Sequence, residues 1–101
     1  MSELNPYDRF LDGRPLETIL VATPGALRAL EEAGQNPAFF LEKHLAGDWG
    51  EVGSGDWAAN DQALVDGSRL LSAYRTLKGV RLWIITEADR SSTCCLLPSE
   101  Y

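Results

Sequence analysis

Polar and apolar positions change rhythm three times along this chain, and each rhythm predicts a different element. Leu16 to Ala22 is a short apolar run with Thr18, Ile19, Leu20 and Val21 at its centre, the pattern of a strand. Thr23-Pro24-Gly25 then opens a helix, because Thr23 can cap and Pro24 suits the first helical position, where its missing N–H has no partner to lose. Ala26, Leu27, Leu30 and Ala33 follow at helical spacing, and Gly34 ends the element. The same punctuation returns at once. Asn36 caps, Pro37 stands first, Phe39, Phe40, Leu41, His44 and Leu45 follow, and Gly47 closes. So short a joint predicts a helical hairpin or corner.

Asp48 to Gly55 reads as a loop with Trp49 inside it. Asp56 is the expected cap of a third helix carrying Trp57, Asn60, Asp61, Leu64 and Val65, which stops at Gly67. The last third alternates. Arg69–Leu77, Val80–Thr86 and Ser92–Leu97 read as strands, joined by a tight Lys78-Gly79 turn and by the connection Glu87–Ser91. Glycine accepts the positive φ that such hairpin turns require. Pro98 stops the last strand. The expected fold is α+β, with three short helices packed on an antiparallel β-meander of three to four strands, the strand from Leu16 joining an edge. Residues 1–15 are expected to be a flexible segment and residues 16–101 a single domain.

Composition changes this picture little. The chain has 101 residues, 45% of them hydrophobic and 24% charged. A chain of that size buries roughly 60–70% of its unfolded surface, so it folds without a metal or disulfide staple. No apolar run approaches the ~18 residues of a membrane helix. Met1 to Leu16 lacks the basic start and apolar stretch of a secretory signal. The expected location is therefore the cytoplasm, with no membrane partner. Cys94 and Cys95 are sequence neighbours, which point to opposite faces of a strand. They are poorly placed to share a metal and read as two small packed hydrophobes. No metal site and no cofactor are expected.

Charge does change the picture. The net charge is −6, and residues 31–66 hold Glu31, Glu32, Glu42, Asp48, Glu51, Asp56, Asp61 and Asp66 against Lys43 alone, a local −7. Residues 67–101 sum to +2. An acidic middle suggests a partner with a basic surface. It weighs against direct nucleic-acid binding, which needs Lys and Arg to neutralise phosphates. The basic and aromatic residues Tyr74, Arg75 and Arg81 are too few to carry that reading.

Three sets of residues are candidates for chemistry, each beside a plainer explanation. His44, with Glu42 and Asp48 near it in sequence, is half of a metal or acid–base set. Its plainer role is a helix-end histidine favoured by the helix dipole. Thr86 to Thr93 is the densest polar stretch. Glu87 and Asp89 are paired carboxylates there, and Arg90 is an anion ligand; otherwise Asp89 closes a turn and Arg90 pairs with a carboxylate. Trp49 is the best candidate for an exposed anchor, against the alternative that it folds back over the core. Glycine-rich phosphate loops, Cys-x-x-Cys, HExxH and Gly-x-Ser-x-Gly are all absent, so no catalytic residue is assigned.

The stretches His44–Gly50, Leu70–Thr76, Leu82–Ser91 and Leu96–Tyr101, with Asn60 and Gly67 between them, carry a likeness across residues 20–101. The chain resembles a family of small bacterial proteins of plasmids and integrated elements, usually labelled plasmid-related proteins. No activity or catalytic residue comes with the resemblance. It implies a mobile-element context, in which small proteins blunt host defences, regulate genes or form toxin–antitoxin pairs. The expected function is a non-enzymatic protein that inhibits a host nucleic-acid-targeting complex, of the anti-CRISPR or anti-restriction kind. It would act through Asp48, Trp49, Glu51, Asp56 and Asp61, with Glu31 and Glu32 outlying. The alternatives are a small enzyme or toxin using Glu87, Asp89 and Arg90 with His44, or a homodimer. The sequence leaves the oligomeric state open.

Overall fold

Local helix signals decide the first half of the fold. The computed structural model describes residues 19–101. The segment expected over residues 1–15, and the first positions of the strand expected from Leu16, lie outside the described residues. Strand β1 (Ile19–Ala22) is followed by α1 (Pro24–Ala33) and α2 (Pro37–Leu45). Both helices begin as their sequences dictate. Thr23 Oγ1 accepts from the Ala26 amide at 3.2 Å, and Asn36 Oδ1 from the Ala38 amide at 2.9 Å. The third helix, α3 (Ser54–Asp66), starts earlier than expected. Gly53, not Asp56, is its cap, and Asp56 stands in the first turn, where a carboxylate faces the positive end of the helix dipole.

Strands β2 (Leu70–Arg75), β3 (Arg81–Thr86) and β4 (Ser92–Leu96) then form the expected antiparallel meander, each slightly shorter than the apolar run that announced it. A 3-10 turn at Pro98–Glu100 follows. The sheet order is β1-β4-β3-β2, with β1 parallel to β4, so the four-stranded sheet is mixed. The domain is α+β, as its sequence suggests.

Strand alternation sorts the sheet into two faces. Leu70, Ser72, Tyr74, Leu82, Ile84, Thr86, Thr93 and Cys95 share the face that α1 and α2 cover. There Ala26, Leu30 and Phe40 pack with Tyr74, Leu82, Ile84 and Cys95. A second cluster joins Leu45, Trp49, Ala63 and Leu70. Helix α3 sits against the free edge of β2. Asn60 closes that edge with its side-chain amide, accepting from Leu71 N at 3.1 Å and donating to Leu71 O at 2.7 Å.

Candidate functional site

The loop between α2 and α3 holds the centre of the expected contact surface, and a buried indole fixes its shape. Trp49 is 0% exposed. Its ring meets His44 edge-on with centroids 5.6 Å apart, and its Nε1 donates to Asp61 Oδ1 at 3.0 Å. The backbone on either side joins the edge of β2. Ala73 N donates to Trp49 O at 3.0 Å, and Glu51 N donates to Ala73 O at 2.6 Å. Gly50, between them, has φ 76 and lies so close to β2 that a Cβ would fall 2.1 Å from Ala73 O. The Tyr74 hydroxyl donates to Asp48 O at 2.5 Å. Of the two readings of Trp49, the structure shows the one in which it folds back over the core, and the exposed anchor is corrected. The indole reaches the core because the loop is pinned to β2.

The carboxylates around it are exposed. Asp48 lies 3.7 Å from Lys43 Nζ, and its Oδ1 accepts from Gly50 N at 3.2 Å. Glu51 is 2.8 Å from Arg75 Nε and 3.8 Å from Arg81. Asp61 holds the indole. Asp56 diverges from this set, lining a groove of about 340 Å³ with Asn60, Arg69, Leu71 and Trp83. Glu31 and Glu32 are exposed on α1, near its end. The fold thus brings Asp48, Glu51 and Asp61 together around one loop and leaves Asp56, Glu31 and Glu32 elsewhere. Lys43 beside the loop, and Arg75 and Arg81 distant in sequence, offset part of its charge.

The polar stretch Thr86–Thr93 is a joint. Asp89 Oδ1 accepts from Ser91 N at 2.9 Å, and the Ser91 hydroxyl and amide hold this carboxyl below the usual range. Arg90 adopts a left-handed φ of 64. Its guanidinium donates to Ser68 O at 2.6 Å, Ala63 O at 3.0 Å and Glu87 O at 3.2 Å. The expected carboxylate partner of Arg90 is corrected: the side chain is a second donor to Ala63 O, which already accepts from Gly67 N, and bonds Ser68 O just past the end of α3, where the helix dipole favours a cation. Glu87 and Asp89 are exposed on this joint.

His44 is also corrected in its role. It stands at the end of α2 as expected, but as a fully buried member of a polar network and not as a cation favoured by the helix dipole. Its Nδ1 lies 2.5 Å from Ser72 Oγ and its Nε2 lies 2.8 Å from Thr86 Oγ1, which in turn meets Thr93 Oγ1 at 2.9 Å. Burial first, and the Arg90 charge second, push its pKa down to about 3, so the ring is neutral at pH 7. All four side chains are 0% exposed, so a substrate in solution cannot reach them. Sequence reasoning missed Ser72, Thr86 and Thr93. Their signal is a polar residue in the inward phase of strand alternation, where a partner is required.

Burial likewise pushes the Cys95 thiol up to about 12 and raises Cys94, which keeps both protonated. Among the described residues, no three His, Cys, Asp or Glu side chains converge to hold a metal. No helix among them is long and apolar enough to cross a membrane. No family model, curated protein or solved structure matches this chain.

Proposed function

We propose that this chain is a non-enzymatic binding protein that docks on a basic protein surface, of the kind a nucleic-acid-targeting defence complex offers to phosphates. The observation that carries this reading is the Trp49 loop. Asp48 and Glu51 stand exposed on a backbone clamped to Ala73 and anchored by a buried indole, and Asp61 is bonded to that indole. Carboxylates held in place lose little freedom on binding, which favours affinity without a large interface. Complementary charge also speeds encounter and fixes register. Lys43, Arg75 and Arg81 reduce the net charge of the loop, so the contact is a local patch whose carboxylates exchange intramolecular cations for those of the partner.

Two further points support the reading. The groups that the enzyme alternative needs are engaged elsewhere, His44 in the core and Arg90 on the carbonyls of α3. The likeness to plasmid-related proteins read from the sequence, which no family model carries, would place the chain in a context where inhibitors of host defence are carried.

The test is affinity capture from a bacterial host lysate, run with the wild type and with the Asp48→Lys/Glu51→Lys double variant. A circular dichroism spectrum confirms that the variant is folded. The wild type should recover a nucleic-acid-binding defence subunit, and recovery should fall about tenfold at ~0.5 M salt, where exposed charge contacts are screened. The double variant should recover none. Equal recovery by the double variant, or no nucleic-acid-binding protein with the wild type, rejects the proposal.

A further inference from the structure

The two edges of the sheet are finished differently. At β2, Asn60 takes the outward N–H and C=O of Leu71, and the Trp49–Glu51 segment takes those of Ala73. At β1, no described residue pairs with the outer edge. Thr23 donates its amide to Cys95 O at 3.0 Å. The twofold alternation of a strand then turns Ile19 and Val21 toward β4 and leaves the N–H and C=O of Leu20 and Ala22 facing outward. Natural edges are guarded by charge, proline or a bulge. The sequence Ile-Leu-Val-Ala offers no charge and no proline.

The side chains suit a self-pairing edge. Leu20 and Val21 are 44% and 48% exposed, on opposite faces of the sheet. Beside the edge lies an apolar hollow of about 160 Å³, lined by Leu20, Ala22, Pro37, Leu41 and Cys95 among others. A bulky exposed leucine therefore stands two residues from a small alanine that borders a hollow.

We infer that β1 pairs antiparallel with β1 of a second copy of this chain, on a twofold axis through Val21. In this register Leu20 faces the partner's Ala22, so every outward N–H and C=O of these two residues is paired. Each Leu20 enters the hollow beside the partner's Ala22, and Val21 meets the partner's Val21 in the close, non-hydrogen-bonded position. The result is a continuous eight-stranded sheet. A four-residue edge falls short of the ~1,200–2,000 Å² of a stable complex, so the dimer is weak. Each copy carries −6 overall while the edge itself is uncharged. Salt therefore strengthens this contact by screening the repulsion of the two bodies, whereas it weakens docking through the acidic loop.

The test is sedimentation velocity across ~5–500 μM protein at ~0.05 and ~0.5 M salt, spanning a Debye length from well above to well below 10 Å. It is read with amide hydrogen exchange at both ends of the concentration range. The sedimentation coefficient should rise with concentration, and more so at high salt. The Leu20 and Ala22 amides should gain protection with concentration, while those of Leu71 and Ala73 stay unchanged. Val21→Lys places like charges on the twofold axis at an exposed position and should be monomeric with an unaltered circular dichroism spectrum. A monomer at every concentration overturns the inference. So does association that leaves the Leu20 and Ala22 amides unprotected, or that survives in a folded Val21→Lys.

Discussion

His44 illustrates how surroundings decide the chemistry of a residue. Its ring is held neutral because burial removes water from the charged form, and both ring nitrogens already have hydroxyl partners. An unfolded chain returns it to its ordinary value of 6.5. Between that value and about 3 the unfolded state binds the extra proton, so stability is complete above pH 6.5 and is lost as pH falls. The slope reaches about 1.4 kcal/mol per pH unit. Urea unfolding of the wild type should show this loss between pH 6.5 and 5, above the range where Asp66, Asp89 and Glu100 titrate. His44→Gln should flatten the profile in that interval; a flat wild-type profile refutes the assignment. Gly50 is the second residue whose role is set by its neighbours. Gly47 and Gly50 both have positive φ, but a Cβ at Gly47 meets nothing within 4 Å. Gly47→Ala should cost about 1–2 kcal/mol of backbone strain. Gly50→Ala should cost at least ~2 kcal/mol more, because the new methyl overlaps Ala73 O and the Tyr74 ring. Equal urea midpoints for the two variants would show that the loop does not press on β2.

Among the elements, α3 depends most on partners distant in sequence. Its own sequence offers a weak start, since Gly53 brings no side-chain cap. Its hold on the sheet is the Asn60 amide on Leu71, and its far end is closed by Arg90 from the connection before β4. Asn60→Ala should cost about 1–3 kcal/mol by leaving the Leu71 amide and carbonyl unpaired. Asn60→Asp should do no better, because a carboxylate has no donor for Leu71 O. Hydrogen exchange at the Leu71 amide reports the contact directly, and unchanged protection in Asn60→Ala would disprove it. The helices α1 and α2 were legible in the chain because Thr23-Pro24 and Asn36-Pro37 act within one turn. The start of α3 was not, because the polar residues around it match either a cap or a first turn.

For the whole molecule, charge is the property most altered by folding. A count along residues 31–66 treats Asp48 and Glu51 as part of an acidic segment with Lys43 as its one cation. The fold sets Glu51 beside Arg75 and Arg81, and Asp48 beside Lys43. The surface that results is a loop of oriented carboxylates among cations. It stands apart from an uncharged strand edge, and salt is expected to weaken docking through the first and to strengthen pairing through the second. What the chain determined by itself was everything set by neighbours in sequence: both proline-started helices, the β2–β3 hairpin, whose turn centres on Leu77-Lys78 with Gly79 at positive φ after it, and the meander of three strands. Tertiary structure decided the burial of Trp49, the neutrality of His44, the sealing of β2 by Asn60 and the use of Arg90 on helix carbonyls. Ser72 and Thr86 stand 28 and 42 residues from His44, and Asp61 stands 12 from Trp49. Hydrogen-bond partners at such separations leave no periodic trace, because only the folded sheet brings them within reach of one another.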